Sequence, residues 1–212
     1  TAFAVDLDDE PSVVVFVRDV TDRKERMRRL IARARRGDQA FALHLLDLDG
    51  FKAVNDLLGH SAGDRFICQI ANKLRQTIRA EDTLARLGGD EFAILQAHVT
   101  SSDDASEFAR RILEMIAQAS DFESSGLRTT ASIGIARYPD DGRSTDDLIK
   151  HADTAMYAVK ELGRSGVRFY CASMNADLLS RVKLDHAMRE ALEKGAFRLV
   201  YQPQVPVAGL QW

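Results

Sequence analysis

The sequence predicts an α/β fold of the α+β type, in which helices flank a central mixed sheet. Short apolar runs typical of buried strands alternate with longer segments whose apolar residues recur at helical spacing. The pair Gly88 and Gly89 separates two of the short runs, which indicates a β-hairpin within this alternation. A chain of 212 residues is long enough to bury a core between such layers.

Four elements are predicted before the hairpin. A β-rich run from Val13 to Val17 is followed by a basic helical stretch, and a buried strand from Phe41 to Asp47 is followed by a long helix. The basic stretch has one apolar face, formed by Met27, Leu30, Ile31 and Ala34. The long helix has one as well, formed by Phe66, Ile67, Ile70, Leu74 and Ile78.

The hairpin strands are predicted at "DTLARL" and "EFAIL", and a helix at Ser102 to Ala119 follows them. "LRTTASIGIARY" alternates like a strand, and "VRFY" is the last strand of this unit. The clearest helix lies between these two strands. Ser144 or Thr145 caps its start and Gly163 ends it.

The predicted domain boundaries fall near residues 20 and 171. Residues 1–20 form the tail of an upstream domain, 21–171 form the α/β unit, and 172–212 begin another unit. In this last part a helix from Asn175 to Lys194 ends at Gly195, and "FRLVYQPQV" follows as a strand. A lone helix and strand cannot bury a core, and the first residue is not Met, so we expect a fragment of a longer protein.

Composition excludes several classes of protein. A net charge of -3 argues against a nucleic-acid binder. The strongly apolar run near Val13 to Val17 is too short to cross a membrane, and the acidic start is unlike a secretory signal. Cys68 and Cys171 lack metal-ligand spacing and are interpreted as reduced thiols. We therefore expect a cytoplasmic protein with no membrane segment in this part.

Acidic residues follow the first buried strand and occupy the hairpin tip. Asp47 and Asp49 end the strand, and Asp90 and Glu91 follow the two glycines. If the hairpin lies beside that strand, three or four carboxylates converge, and a divalent cation would relieve their repulsion. Glycines without Cβ atoms would let a ligand approach the backbone. Together these features predict a Mg-nucleotide site.

The same residues have other interpretations. A Gly-Gly turn followed by acids is also common in exposed hairpins without a function. "DLDGFKAVNDLL" superficially matches a calcium loop, but the required sixth-position glycine is Lys52 here. No G-x-x-x-x-G-K-[ST] segment is present, which excludes a P-loop.

Several segments together resemble one family. "DLDGFKAVNDLLGHSAGD", "RLGGDEF" and "HADTAMYAVKELGR" are similar, in order and spacing, to the GGDEF domain of diguanylate cyclases over about residues 38–171. The resemblance implies a palm-like nucleotidyl-cyclase fold. It also implies that two GTP molecules are joined into cyclic di-GMP with release of two pyrophosphates, which requires two domains face to face.

The resemblance implies a role for each matched residue. Two Mg²⁺ ions, or Mn²⁺ in their place, would be held by Asp47, the Leu48 carbonyl, Asp90 and Glu91, and one hairpin acid would activate the ribose 3′-hydroxyl. Guanine would be recognised by Asn55 and Asp64, with His60 lining the pocket. The triphosphate would be bound by Lys52, Lys160 and Arg164 beside Gly88 and Gly89. The open alternative for Lys160 and Arg164 is a solvated helix end, where cations are favoured in any case.

"RAED", from Arg79 to Asp82, matches the family's R-x-x-D inhibitory site for the product cyclic di-GMP. Arg110 or Arg111 on the next helix would complete that site. The alternative is an ordinary pair of surface charges, which is common on exposed faces.

The chain departs from the family before its first strand. The usual D-x-L-T-G-L-x-N-R motif is absent, and we expect this to affect turnover and regulation but not the metal or guanine residues. The start "VVVFVRDVTDRK" resembles the exit of a PAS sensor domain, and "LDHAMREALEKGAFRLVYQPQV" resembles the opening of an EAL phosphodiesterase domain. Two hypotheses follow: a diguanylate cyclase with product feedback, or a regulatory module that binds GTP or cyclic di-GMP and controls an attached phosphodiesterase. The many like charges from Arg23 to Arg36 oppose self-pairing, so we expect a mostly monomeric chain.

Overall fold

The computed structural model describes residues 15–16, 28, 31–32, 40–119, 129–198 and 200. Six strands are found in these parts of the chain, and their apolar, β-rich sequences are those expected from the sequence pattern. Their bounds are β1 Val15–Phe16, β2 Phe41–Asp49, β3 Thr83–Gly88, β4 Glu91–Ala97, β5 Thr130–Tyr138 and β6 Gly166–Phe169.

The six strands form one mixed sheet in the order β1-β3-β4-β2-β5-β6. The four central strands pair antiparallel, whereas β1 and β6 pair parallel with β3 and β5. The β3-β4 hairpin lies directly beside β2. This is the arrangement under which the acids of the strand end and the hairpin tip were expected to converge. This architecture confirms the predicted fold class.

Five helices are bounded in the described residues, and each follows a strand or another helix along the chain. They are α1 Phe51–Leu58, α2 His60–Thr77, α3 Ser102–Ala119, α4 Thr145–Glu161 and α5 Ser173–Glu193. The Ser144 hydroxyl accepts a hydrogen bond from the Asp147 N–H and so caps α4, which agrees with the predicted start.

The apolar faces of the helices cover both sides of the sheet. The larger core packs α1, α2 and α3 on one face, where Phe66, Phe92 and Ile112 are almost fully buried. The smaller core packs α4 on the other face, with Leu43 and Leu148 at its centre. Ile31 belongs to this second core, which agrees with the apolar face predicted for the basic stretch. The end of β2 thus emerges between two packed layers, and this positions the acidic residues.

One helix was not predicted, and one turn was misplaced by a residue. The segment Phe51–Leu58 is a separate eight-residue helix that we did not predict, although Phe51, Val54 and Leu58 recur in it at helical spacing. The hairpin turn consists of Gly89 and Asp90 rather than Gly88 and Gly89, since Gly88 still belongs to β3.

The chain divides into two compact units, residues 1–174 and 175–212. The second unit contains most of α5, which ends two residues before Gly195, where the backbone is left-handed (φ 64°). The strand predicted at "FRLVYQPQV" lies largely outside the described residues, and Phe197, Arg198 and Val200 are not in a strand. Within the described part of the chain, no helix has the length and apolar character needed to cross a membrane.

Candidate functional site

The acidic site is formed where β2 pairs with β4. Asp47 and Glu91 are direct partners in the antiparallel register. The Leu48 N–H donates a hydrogen bond to the Asp90 carbonyl oxygen (3.2 Å), which ties the hairpin turn to the end of β2. This pairing brings three of the predicted acids to the same end of the central strands: Asp47, Asp90 and Glu91.

The hairpin has this shape because of its glycines and one arginine. Gly89 has φ 54° in the turn, a conformation that a residue with a Cβ adopts only with strain. The Arg86 guanidinium donates two hydrogen bonds to the Gly89 carbonyl oxygen, at 2.8 and 3.1 Å. We did not single out Arg86 from the sequence, because nothing in "ARLGGDEF" shows that its side chain folds back onto the turn.

Burial and mutual repulsion act on the acids. Burial is the main cause that raises the pKa of Asp47, and the neighbouring carboxylate of Asp90 raises it further. Burial also raises the pKa of Glu91, followed by the charges of Asp47 and Asp90. The Lys160 ammonium lies 2.7 Å from Asp47 and opposes both shifts. The cluster therefore favours the binding of positive charge.

The acids have part of the donor set that a divalent cation needs. No three His, Cys, Asp or Glu side chains within the described ranges already lie together as a metal-binding group. Mg²⁺, however, is usually bound by only one or two carboxylates together with substrate phosphates and water. Asp47 and Glu91 supply carboxylates of this kind at one place, beside the backbone of Leu48. The residues fit a cation that arrives with a phosphorylated ligand.

Asp49, the fourth acid expected in the cluster, is held elsewhere. Its carboxylate accepts hydrogen bonds from the Thr130 hydroxyl (2.7 Å), the Ser132 hydroxyl (2.8 Å) and the Ser165 N–H (3.1 Å). Asp49 is only 9% exposed and faces β5 rather than the hairpin. Of the three or four carboxylates expected to converge, three therefore do, and Asp49 is held by these three donors, which occupy both of its oxygens.

The predicted guanine residues come from α1 and α2. Asn55 on α1 lies so close to α2 that a Cβ at Gly63 would be 1.9 Å from its Oδ1. Asp64 follows Gly63 and is exposed, as is His60 at the start of α2. Asn55 is thus in contact with the residue before Asp64, and Gly63 is a residue that sequence reasoning missed. Its signal was a glycine inside a helical pattern, which often marks a close approach.

The predicted triphosphate residues occupy two places. Lys160 is in the last turn of α4 and contacts Asp47, so it belongs to the acid cluster and not to a solvated helix end. Arg164 is exposed in the loop after α4, and within the described part of the chain its guanidinium contacts no acid. Lys52 is exposed on the first turn of α1, three residues after Asp49.

The R-x-x-D segment forms a tight turn. Asp82 is buried, and its two oxygens accept the backbone N–H groups of Arg79 (2.9 Å) and Ala97 (3.0 Å). Arg79 is exposed. Arg111 donates to the Thr77 carbonyl oxygen (3.2 Å) and so lies beside this turn, whereas Arg110 forms an ion pair with Glu114.

Comparison with known proteins gives a consistent picture. The profile of the family described as "Diguanylate cyclase, GGDEF domain" matches residues 22–166. The chain is 43% identical over 181 residues to the bifunctional diguanylate cyclase/cyclic di-GMP phosphodiesterase MucR of Pseudomonas aeruginosa. This match covers 85% of the chain but only 26% of MucR, so the chain spans about a quarter of that relative.

Solved structures agree with this assignment. The GGDEF domain of YfiN from Pseudomonas aeruginosa is similar with a TM-score of 0.66 and 35% identity, over 75% of this chain and 93% of that one. The GGDEF domain of DgcB from Caulobacter crescentus, solved in complex with cyclic di-GMP, has a TM-score of 0.62 and 26% identity, over 76% and 92%. The chain therefore belongs to the GGDEF family of diguanylate cyclase domains.

Proposed function

We propose that this chain condenses two GTP molecules into cyclic di-GMP and two pyrophosphates, with Mg²⁺ as the metal. The observation that carries the proposal is the direct pairing of Asp47 with Glu91 across β2 and β4, with the Lys160 ammonium 2.7 Å from Asp47. Partly buried Asp47 and exposed Glu91, next to a cation at an open hairpin, suit a ligand that brings both metal and phosphate.

The acids and the Leu48 carbonyl would hold the metal, with Mn²⁺ as an alternative to Mg²⁺. When bound, Mg²⁺ would stabilise the charge that develops on the attacking and leaving oxygens. Either hairpin acid, Asp90 or Glu91, would accept the proton of the ribose 3′-hydroxyl.

Base recognition and phosphate binding are assigned to the flanking elements. Asn55 and Asp64 would hydrogen-bond the guanine edge, with His60 at the rim of the pocket. Lys52, Lys160 and Arg164 would bind the triphosphate, because long cationic side chains offset several phosphate charges. Gly88 and Gly89 would leave room for the nucleotide against the hairpin backbone.

Catalysis would require a second GGDEF domain, since each half-site would hold one GTP and each 3′-oxygen would have to attack the partner's α-phosphate. We also propose product feedback at the R-x-x-D turn. Arg79 and Arg111 are the side chains most available for it, because both oxygens of Asp82 already accept backbone N–H groups and Arg110 is paired with Glu114. DgcB in complex with cyclic di-GMP supports product binding in a related domain.

We place this chemistry in the cytoplasm. Cys68 and Cys171 are both exposed and free, which is typical of a reducing compartment.

The experiment that tests the proposal is incubation of the purified chain with GTP and Mg²⁺, followed by chromatography for cyclic di-GMP. ATP in place of GTP and a chelator in place of Mg²⁺ are the controls, and neither should give a cyclic dinucleotide. Added cyclic di-GMP should slow the reaction if the feedback site operates. Binding of GTP without any product at every chain concentration would contradict the cyclase.

The second candidate is a regulatory module that binds GTP or cyclic di-GMP and controls an attached EAL phosphodiesterase. It is favoured by the similarity to MucR, which is described as bifunctional and is about four times as long as the matched segment. Tight binding of either nucleotide by a chain that makes no product would support this candidate.

A further inference from the structure

The loop between α4 and β6 is held in a rare backbone conformation. Gly163, Arg164 and Ser165 have φ values of 111°, 65° and 52°, so three successive residues are left-handed. Glycine adopts this conformation freely, but Arg164 and Ser165 carry a Cβ and are strained in it. Residues of this kind persist only where the surrounding structure holds them. We call residues 163–165 the left-handed turn.

Two hydrogen bonds hold the left-handed turn. The Arg164 N–H donates to the Val159 carbonyl oxygen (3.1 Å), which is a local contact with α4. The Ser165 N–H donates to Oδ2 of Asp49 (3.1 Å), which lies 116 residues earlier in the sequence. Only the second bond connects the turn to the strand that carries the acid cluster.

Asp49 is itself fixed in place. The Thr130 hydroxyl donates to the same Oδ2 (2.7 Å), and the Ser132 hydroxyl donates to Oδ1 (2.8 Å). Ser132 is fully buried and Asp49 is 9% exposed, so water competes little for these bonds. A single carboxylate thus connects β2, β5 and the left-handed turn.

We propose that Asp49 is a positioning residue that holds the left-handed turn against the end of β2 and so directs Arg164 to the triphosphate of GTP. The inference rests on the proposed function, because it assumes that Arg164 binds phosphate. Asp49 is adjacent to Leu48 and two residues from Asp47, so the bond to Ser165 fixes the distance between the acid cluster and Arg164. A metal-binding role for Asp49 is not needed, since both oxygens already have donors.

The test is a double-mutant cycle on the full chain, with the dissociation constant of α,β-methylene-GTP in Mg²⁺ measured by calorimetry. This analogue cannot be turned over, so the readout is binding alone. Asp49→Ala and Arg164→Ala should each weaken binding about tenfold, as expected for loss of a charge-assisted contact. The double variant should bind no more weakly than Arg164→Ala, because Asp49 acts through Arg164.

The conservative variant separates positioning from charge. In Asp49→Asn the amide oxygen can accept from Thr130 and Ser165, while the Ser132 hydroxyl accepts from the amide N–H. We expect this variant to bind the analogue within about threefold of the native chain. Affinity as weak as in Asp49→Ala would overturn the inference, and so would additive losses in the double variant.

Thr130→Val is the second variant if Asp49→Ala does not fold. It removes one donor to Oδ2 of Asp49 and keeps the shape of the side chain, so affinity for the analogue should fall about threefold. In a chain that already carries Arg164→Ala, adding Thr130→Val should not lower the affinity further. Unchanged affinity in Thr130→Val would count against the inference. If the native chain does not bind the analogue, the proposed function is overturned as well. If the native chain binds it and Asp49→Ala binds it with the same affinity, this inference alone is overturned.

Discussion

Glu91 shows what a single residue contributes once the strands are paired. It is the first residue of β4, it lies opposite Asp47, and the charges of Asp47 and Asp90 add to burial in raising its pKa. A carboxylate in this position is costly for the metal-free domain and useful for a ligand that brings positive charge. Function and stability should therefore respond differently when it is replaced.

Glu91→Gln should abolish synthesis of cyclic di-GMP while the domain stays folded. The loss should be about 100-fold or more, as for removal of a general base or metal ligand. The free energy of unfolding should change by only about 0.5 kcal/mol, because Glu91 is exposed at the edge of a hairpin. Glu81→Gln, an exposed glutamate before β3, is the matched control and should keep full activity. A Glu91→Gln variant with native synthesis would remove Glu91 from the site.

Asn55 and Asp64 should determine the choice of nucleotide. Asn55→Ala and Asp64→Ala should each weaken GTP binding by about 1–3 kcal/mol and leave weak ATP binding unchanged, since each removes a partner of the guanine edge. Asp56→Ala, on the same helix as Asn55 and exposed, is the control. Calorimetry with both nucleotides measures the difference. Equal losses for GTP and ATP would mean that the two residues serve the structure and not recognition.

His44 is a buried residue outside the site that should control stability against pH. Burial lowers its pKa from 6.5 to about 4, and its Nε2 is 2.9 Å from the Gln96 side chain while Nδ1 has no hydrogen-bond partner among the described residues. The folded state thus binds a proton less readily than the unfolded state. The stabilising contribution is complete above pH 6.5 and is lost as the pH falls from there towards 4.

When the pH is lowered from 7.5 to 5, His44 should lower the free energy of unfolding by about 2 kcal/mol. The double variant His44→Leu with Gln96→Leu removes both polar partners and should lose this pH dependence. Urea unfolding of both chains at the two pH values measures it. Comparing the two chains cancels the opposite contributions of the raised carboxyl pKa values at Asp47, Asp82 and Glu91. Identical pH profiles would contradict the assignment to His44.

At the scale of elements, α4 packs on β5 through a glycine. A Cβ at Gly134 would lie 2.0 Å from the Ala152 carbonyl oxygen and 2.2 Å from the Met156 nitrogen, and neither backbone atom can move alone. Since α4 also carries Lys160, the closeness of this packing sets the distance from Lys160 to Asp47.

Gly134→Ala should therefore destabilise the domain by about 1–3 kcal/mol, the usual cost of overpacking, and should also reduce synthesis. Gly166→Ala is the matched control, because its added Cβ would meet its nearest neighbour at an ordinary 3.5 Å. Thermal unfolding and the product assay on both variants test this. If Gly134→Ala were as stable as the control, α4 would not depend on this close contact.

The elements themselves were largely predictable, because each depends on a local pattern. The apolar periodicity of Ser102–Ala119 gave the bounds that the structure shows, and Ser144 marked the start of α4. The helix Phe51–Leu58 has apolar residues at helical spacing as well, but with only eight residues it is short, and we did not predict it. The glycine pair indicated the hairpin but not which two residues form its turn. Either glycine can adopt the positive φ that a turn needs, and in the structure both have positive φ.

The side-chain contacts of the site were predictable only in part. The convergence of Asp47, Asp90 and Glu91 followed once the hairpin was placed beside β2. The bonds of Asp49 to Thr130 and Ser165, however, join residues 81 and 116 positions apart, and local periodicity carries no information about them. The same is true of the contact between Lys160 and Asp47, which depends on how α4 crosses the sheet.

At the scale of the whole molecule, the chain contains one candidate GTP site and the proposed reaction needs two. The chain matches only 26% of the length of MucR. For this chain alone we expect encounters between monomers to limit the rate. The rate per chain should then rise with chain concentration.

The most direct test of the central claim is the rate of cyclic di-GMP formation by the chain fused, upstream of Arg23, to a strong parallel coiled coil. With GTP and Mg²⁺ the fused chain should release two pyrophosphates for each cyclic di-GMP. Its rate per chain should exceed that of the unfused chain at low concentration, because the linked domains meet at a higher effective concentration. A fused chain that binds GTP and forms a dimer, yet makes no cyclic di-GMP, would contradict the claim that these paired acids form a condensing site.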